Sequence, residues 1–295
     1  MGRWKRMGRW RLGRWRVVRA RVGGGWRLGA AVLAAVMLGG VAGCKPDTAA
    51  RRAEDVDRGA VPAAVAAKRQ AVDPATAGSV SGVVRISGKA PARVRIDMTM
   101  DPVCEMKAGD NFAEQFVTKD GGLGNVFVYV KSGPAAAMQA APGSGNRAGG
   151  GPVVLDQRGC RYTPHVVAVM AGGQVEFRNS DPTMHNIHTM PVVAGNEVID
   201  VSQGPNGEPQ RRVFAEPEVM LPVRCNNHPW MNAFIDVSAT PFFQVTGEDG
   251  RFSLEGLPAG TYTLGAVHEK MGEQTVQVTV VAHEAAKAEF KFAMK

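Results

Sequence analysis

From Ser79 to the C-terminus no stretch keeps a helical period; short apolar runs alternate with clusters of Gly, Pro, Asn and Asp. That pattern confines the chain to an all-β architecture of short strands and tight turns. Strands are predicted at Val80–Ile86, Arg93–Met98, Asn125–Val130, Val153–Asp156, His165–Met170, Gln174–Asn179, Arg211–Ala215, Met220–Cys225 and Ala233–Val237. A Gly/Ala/Pro-rich loop from Pro134 to Pro152 and a polar connection over Gly195–Gln210 interrupt them. The C-terminal part is patterned differently. There Phe242–Thr246, Arg251–Leu254, Thr261–Val267, Thr275–Val281 and Ala288–Phe292 are strands separated by turns such as Glu248-Asp249-Gly250, a second all-β unit.

Between two of these strands lies Cys225-Asn226-Asn227-His228-Pro229-Trp230-Met231. It places a thiolate, an imidazole and a thioether on one turn, and His185, from a different segment, can add a second imidazole. Two imidazoles, a thiolate and a soft axial Met are the donor set of a mononuclear type 1 copper site. Zinc is the alternative metal, but it would need water or a carboxylate in place of Met231. His165, His268 and His283 lack partners at ligand spacing and are assigned structural roles. No hydrolase triad, phosphate loop or paired carboxylates stand out, so the chain is not expected to be an enzyme.

The formal charge of +8 is misleading. Residues 1–27 hold ten Arg and Lys, and residues 1–43 contain no acid. The remainder is close to neutral, which argues against nucleic acid as a partner. The Arg-rich start, the apolar run Leu28–Ala42 and the small residues that follow read as an export signal over 1–43. Val41-Ala42-Gly43-Cys44 resembles a bacterial lipobox, which implies lipidation of Cys44 and membrane attachment in the periplasm or at the cell surface. Residues 44–78, poor in large apolar side chains, are expected to form a disordered tether. Cys104 and Cys160 can then pair as a disulfide in an oxidising compartment; two independent buried thiols are the other possibility.

Residues 150–239 resemble the cupredoxins, particularly those of the amicyanin type, through Tyr162-Thr163-Pro164, Gly173-Gln174-Val175, His185-Asn186-x-His188 and Cys225-x2-His228-Pro229-x-Met231. The resemblance implies a Greek-key β-sandwich, copper held by His185, Cys225, His228 and Met231, and one-electron exchange between a donor and an acceptor redox protein. It further implies that Asn186 ties the ligand loops together by hydrogen bonds, that His188 is no ligand, and that the ring edge of His228 reaches the surface as the electron exit. Gly247-x-Asp249-Gly250-Arg251-Phe252-x-Leu254-x-x-Leu257-Pro258-Ala259-Gly260-Thr261-Tyr262 is similar to carboxypeptidase regulatory-like, prealbumin-type modules, and Ser81-Gly82-Val83-Val84 to their opening strand. Residues 240–295 are therefore expected to form a small prealbumin- or Ig-like sandwich. Residues 79–149 belong either to that module, with the copper domain inserted, or to an extension of the copper domain. The combination resembles bacterial exported proteins loosely labelled for methylamine utilisation, a label that fixes no substrate. Copper storage or delivery without electron transfer, and a structural or carbohydrate-associated role, are the competing functions.

Overall fold

The computed structural model describes residues 69–107, 109, 111–144 and 151–294. The expected export signal, Cys44 and the tether up to residue 68 lie outside them. The chain is ordered earlier than Ser79: Arg69 donates to the Ala140 and Ala239 carbonyls, and the first strand opens at Ala77. Among the described residues no helix is long and apolar enough to cross a membrane.

Eighteen strands among the described residues make four sheets. Two of the sheets form a sandwich around the heptad. One runs in the order β10 (Asp200–Gln203), β9 (His185–Thr189), β12 (Glu218–Arg224), β13 (Asn232–Ser238), β7 (Val166–Met170). The other runs β11 (Gln210–Phe214), β8 (Gly173–Asn179), β5 (Val153–Gln157), β6 (Tyr162–Thr163). Leu155, Phe177, Ile187, Phe214, Leu221 and Ile235 fill the space between them. Alternation of side chains along each strand delivers these residues to one core.

The other two sheets draw strands from both ends of the described chain. β1 (Ala77–Ser87) lies antiparallel to β15 (Arg251–Pro258) and parallel to β18 (Ala285–Ala293), and touches β3 (Gly122–Leu123), which pairs with β2 (Thr118–Lys119). β4 (Phe127–Ser132) lies between β14 (Phe243–Val245) and β16 (Gly260–His268), and β17 (Gly272–Val280) closes that sheet. Val80, Val84, Val128, Phe242, Leu254 and Phe290 form their common core. The turn before β15 needs its glycine: Gly250 has φ 71°, and a Cβ there would come within 2.2 Å of the Val84 carbonyl oxygen.

A third, smaller cluster of Phe127, Ala168, Met170 and Phe243 joins the two sandwiches. A buried pair with His165 Nε2 2.6 Å from Glu269 Oε1 does the same.

Two expectations change here. Val94, Ile96 and Met98 alternate like a strand, yet that segment finds only a single bridge, Arg95 to Phe112. It continues instead into a short helix, α1 (Pro102–Lys107), started by Asp101, whose Oδ1 accepts from the amides of Val103 and Cys104. The polar connection over 195–210 also contains β10, which pairs with β9 from Asp200↔His188 to Gln203↔His185.

Candidate metal centre

The heptad leaves β12 at Arg224 and re-enters the sheet at Asn232. The loop is held shut by its own backbone: Cys225 N–H donates to the Met231 carbonyl at 3.2 Å, and Met231 N–H to the His228 carbonyl at 2.9 Å. Beside it, β9 opens with His185, placed in the same sheet by pairing of Val223 with Thr189 and Arg224 with His188. Tyr162 fastens the two strands from across the sandwich, its hydroxyl donating to the carbonyls of Asn186 and, at 3.0 Å, of Arg224.

This brings His185, Cys225 and His228 together: one donor atom from each lies within 4.8 Å of the others. The Nδ1 atoms of the two histidines are 2.9 Å apart, and Cys225 Sγ is 3.5 Å from His228 Nδ1. Met231 sits on the same loop, 1% exposed, in the core behind them.

The far side of each imidazole decides what the near side can do. His185 Nε2 is 3.0 Å from Asp181 Oδ2, and His228 Nε2 is 2.9 Å from Asp101 Oδ2. A carboxylate only accepts, so each Nε2 carries the proton, and in the neutral ring Nδ1 is left as a bare lone pair. Two bare lone pairs 2.9 Å apart, next to a sulfur, repel one another. A soft cation between them removes the conflict, so the residues present fit a copper ion.

The thiol is prepared for the same role. Burial alone would push Cys225 up, but the adjoining His185, the Asn186 amide at 3.3 Å, His228 and the Asn227 amide outweigh it and bring the thiol down to about 7. Burial would lower His185; the bond to Asp181 and the neighbouring Cys225 raise it instead. The bond from His228 holds the Asp101 carboxyl below its usual range.

Asn186 stands where it links the loops. Its Oδ1 accepts from the Asn226 amide at 3.3 Å, while its Nδ2 and that of Asn226 both donate to Asp200 Oδ1, at 2.8 and 3.1 Å. His188 faces away from the donor set and pairs its Nδ1 with Asn226 Oδ1 at 2.9 Å.

One implied feature is overturned. The edge of His228 does not reach the surface; the residue is 3% exposed. Asp101 caps Nε2, and Cys104 Sγ lies 3.8 Å from the same atom. Cys104 is bonded to Cys160, so α1 is stapled over the ring. Trp230 packs against His228 with centroids 5.1 Å apart and the rings tilted by 48°, and it donates from Nε1 to the Cys160 carbonyl. The Cys160 amide in turn donates to Asp181 Oδ2 at 2.8 Å. With both sulfurs spent on the disulfide, Cys104 and Cys160 do not compete as ligands.

Asp101 and Asp181 were not singled out by the sequence. Asp181 could have been, since it stands four residues before His185. Asp101 is 127 residues from His228 and carries no local signal.

No protein-family model matches the chain, and no curated protein does. Solved structures similar to part of it include a Cu-containing nitrite reductase from Thermus scotoductus, 28% identical over 30% of this chain and 22% of that one, TM-score 0.27. A purple cupredoxin from Nitrosopumilus maritimus is 23% identical over 29% of this chain and 99% of its own, TM-score 0.25. A Cu(I) amicyanin variant is 20% identical over 39% and 99%, TM-score 0.27. This chain therefore spans about a fifth of the nitrite reductase's length.

Proposed function

We propose that His185, Cys225 and His228, with Met231 behind them, hold a single copper ion and that the protein carries one electron between two redox partners. The observation that carries this reading is the facing pair of bare Nδ1 atoms beside the Cys225 sulfur, each imidazole fixed from behind by a carboxylate. Bound copper supplies the one-electron couple. The chain supplies a rigid, water-poor pocket, since His185, Cys225, His228 and Met231 are all buried. Rigidity favours a carrier because the same donors can serve both oxidation states with little rearrangement. The reading extends to an exported protein anchored through a lipid on Cys44, its partners being redox proteins rather than nucleic acid.

Adding Cu(II) to the purified full chain is expected to produce an intense visible thiolate-to-copper absorption, and Cys225→Ala to abolish it. Failure of the band to appear in the intact protein would end the carrier reading.

A second reading is copper storage or delivery without electron transfer. It is favoured by the closure of His228 under Asp101 and α1, which removes an exposed ligand edge from the surface. The electron self-exchange rate of the copper-loaded protein separates the two: a carrier exchanges fast, a store slowly.

A further inference from the structure

The donor set is sealed: His185 is fully buried, and Cys225, His228 and Met231 are at most 3% exposed. An ion that reaches these donors must first be caught at the surface, so a route in is part of the site. The exposed apolar side chains have an unusual composition. Eight large apolar side chains are strongly exposed among the described residues; five are valines and three are methionines, Met100, Met106 and Met184.

All three methionines lie close in sequence to the contact that shuts the site. Met100 immediately precedes Asp101, and Met106 lies on α1 two positions beyond the stapled Cys104. Met184 stands between His185 and Thr183, and Thr183 Oγ1 donates to Asp101 Oδ2 at 3.2 Å, the oxygen that also holds His228. Two separate segments, joined through Asp101 Oδ2, thus carry the exposed thioethers. They are 73%, 80% and 51% exposed, whereas a methionine placed for packing is normally inside. A thioether is neutral and soft; it binds Cu(I) and leaves magnesium and calcium alone.

We propose that Met100, Met106 and Met184 form a surface loading port that captures Cu(I) for the buried donors. This rests on the copper reading above, and it adds a second, weaker metal site outside the first. The Asp101 carboxylate between the port and His228 supplies the negative charge that draws the cation inward.

The test uses the full chain with its disulfide intact. In Cys225→Ala protein, which lacks the deep thiolate, Ag(I) serves as a redox-inert soft probe, and the methionine methyl resonances are followed. Ag(I) is expected to move the methyls of Met100, Met106 and Met184. In protein retaining Cys225, Cu(I) offered from a chromophoric chelator is expected to load at least about tenfold more slowly when Met100→Leu, Met106→Leu and Met184→Leu are combined, with the final tightly held copper unchanged. Unmoved methyls, or equal loading rates, overturn the port and leave the patch as a contact for an apolar protein surface. If the methyls move but the intact protein never develops the visible band, the port stands and the electron-carrier reading falls.

Discussion

At the residue scale the site depends on two carboxylates that make no contact with the metal position. Asp101 and Asp181 each fix a ring proton on Nε2, and so present Nδ1 as a lone pair. Removing such a partner from a metal-binding histidine typically costs about 10–100-fold in metal affinity. Asp101→Ala and Asp181→Ala are each expected to weaken copper binding within that range, read by competition with a chelator. Asp101→Asn, which keeps an acceptor oxygen and the helix cap, should lose less. Equal affinity in Asp101→Ala would show that the carboxylate does not orient the ring. The ligands were legible because Cys225, His228 and Met231 are neighbours on one turn, and chemical type at that spacing carries the information. Asp101 was not legible for the opposite reason: its partner is brought to it only by the whole fold.

Single elements show where local pattern is enough. β7 was visible because branched and small apolar residues run through it without a break, and β13 because Ala233, Phe234, Ile235 and Val237 surround its one acid, Asp236. β9 was not, because its residues read His185, Asn186, Ile187, His188, which resembles a polar loop until β10 and β12 pair with it. α1, at six residues, is too short to show a period, and it persists through its Asp101 cap and the staple from Cys104 to Cys160. With 56 residues separating its cysteines, that bond is expected to stabilise by about 4 kcal/mol on the chain-entropy account. Cys104→Ser with Cys160→Ser should therefore lower the denaturant midpoint and expose the His228 ring to solvent. β13 carries a separate device. Asp236 is fully buried; burial pushes its carboxyl up to about 8, against a single amide bond from Met220 that pulls the other way. The folded state then holds a proton that the unfolded chain releases near pH 4, so stability falls as pH rises from about 4 to about 8. Asp236→Asn is expected to flatten that slope, as measured by denaturant unfolding at several pH values, and an unchanged slope would place the proton elsewhere.

At the scale of the molecule the order of strands in space departs from their order in sequence. β1 and β4 precede the sandwich that holds the heptad, yet of their hydrogen-bonded neighbours β14, β15, β16 and β18 follow it. Composition could show two kinds of β structure, and the likeness of Ser81–Val84 to the module's opening strand left an insertion open; β4 could not be assigned, because register between strands more than 100 residues apart leaves no local trace. We propose on this basis that the copper sandwich is an insertion within the other sandwich, entering after β4 and leaving before β14. Such an insertion fixes both of its ends. Phe127, Ala168, Met170 and Phe243 pack where the two sandwiches meet, and His165 pairs with Glu269 across the same boundary. The heptad's sandwich is thus braced at β7 by a body built from the two ends of the described chain. Ending the chain after Thr240 removes every strand that pairs with β1 except β3, and every one that pairs with β4. Amides of β1 and β4 are then expected to lose their hydrogen-exchange protection, while those of β8 and β12, whose partners all lie between residues 153 and 238, keep theirs. Persistent protection of β1 in the shortened chain would mean that residues 77–132 fold with the copper sandwich rather than around it.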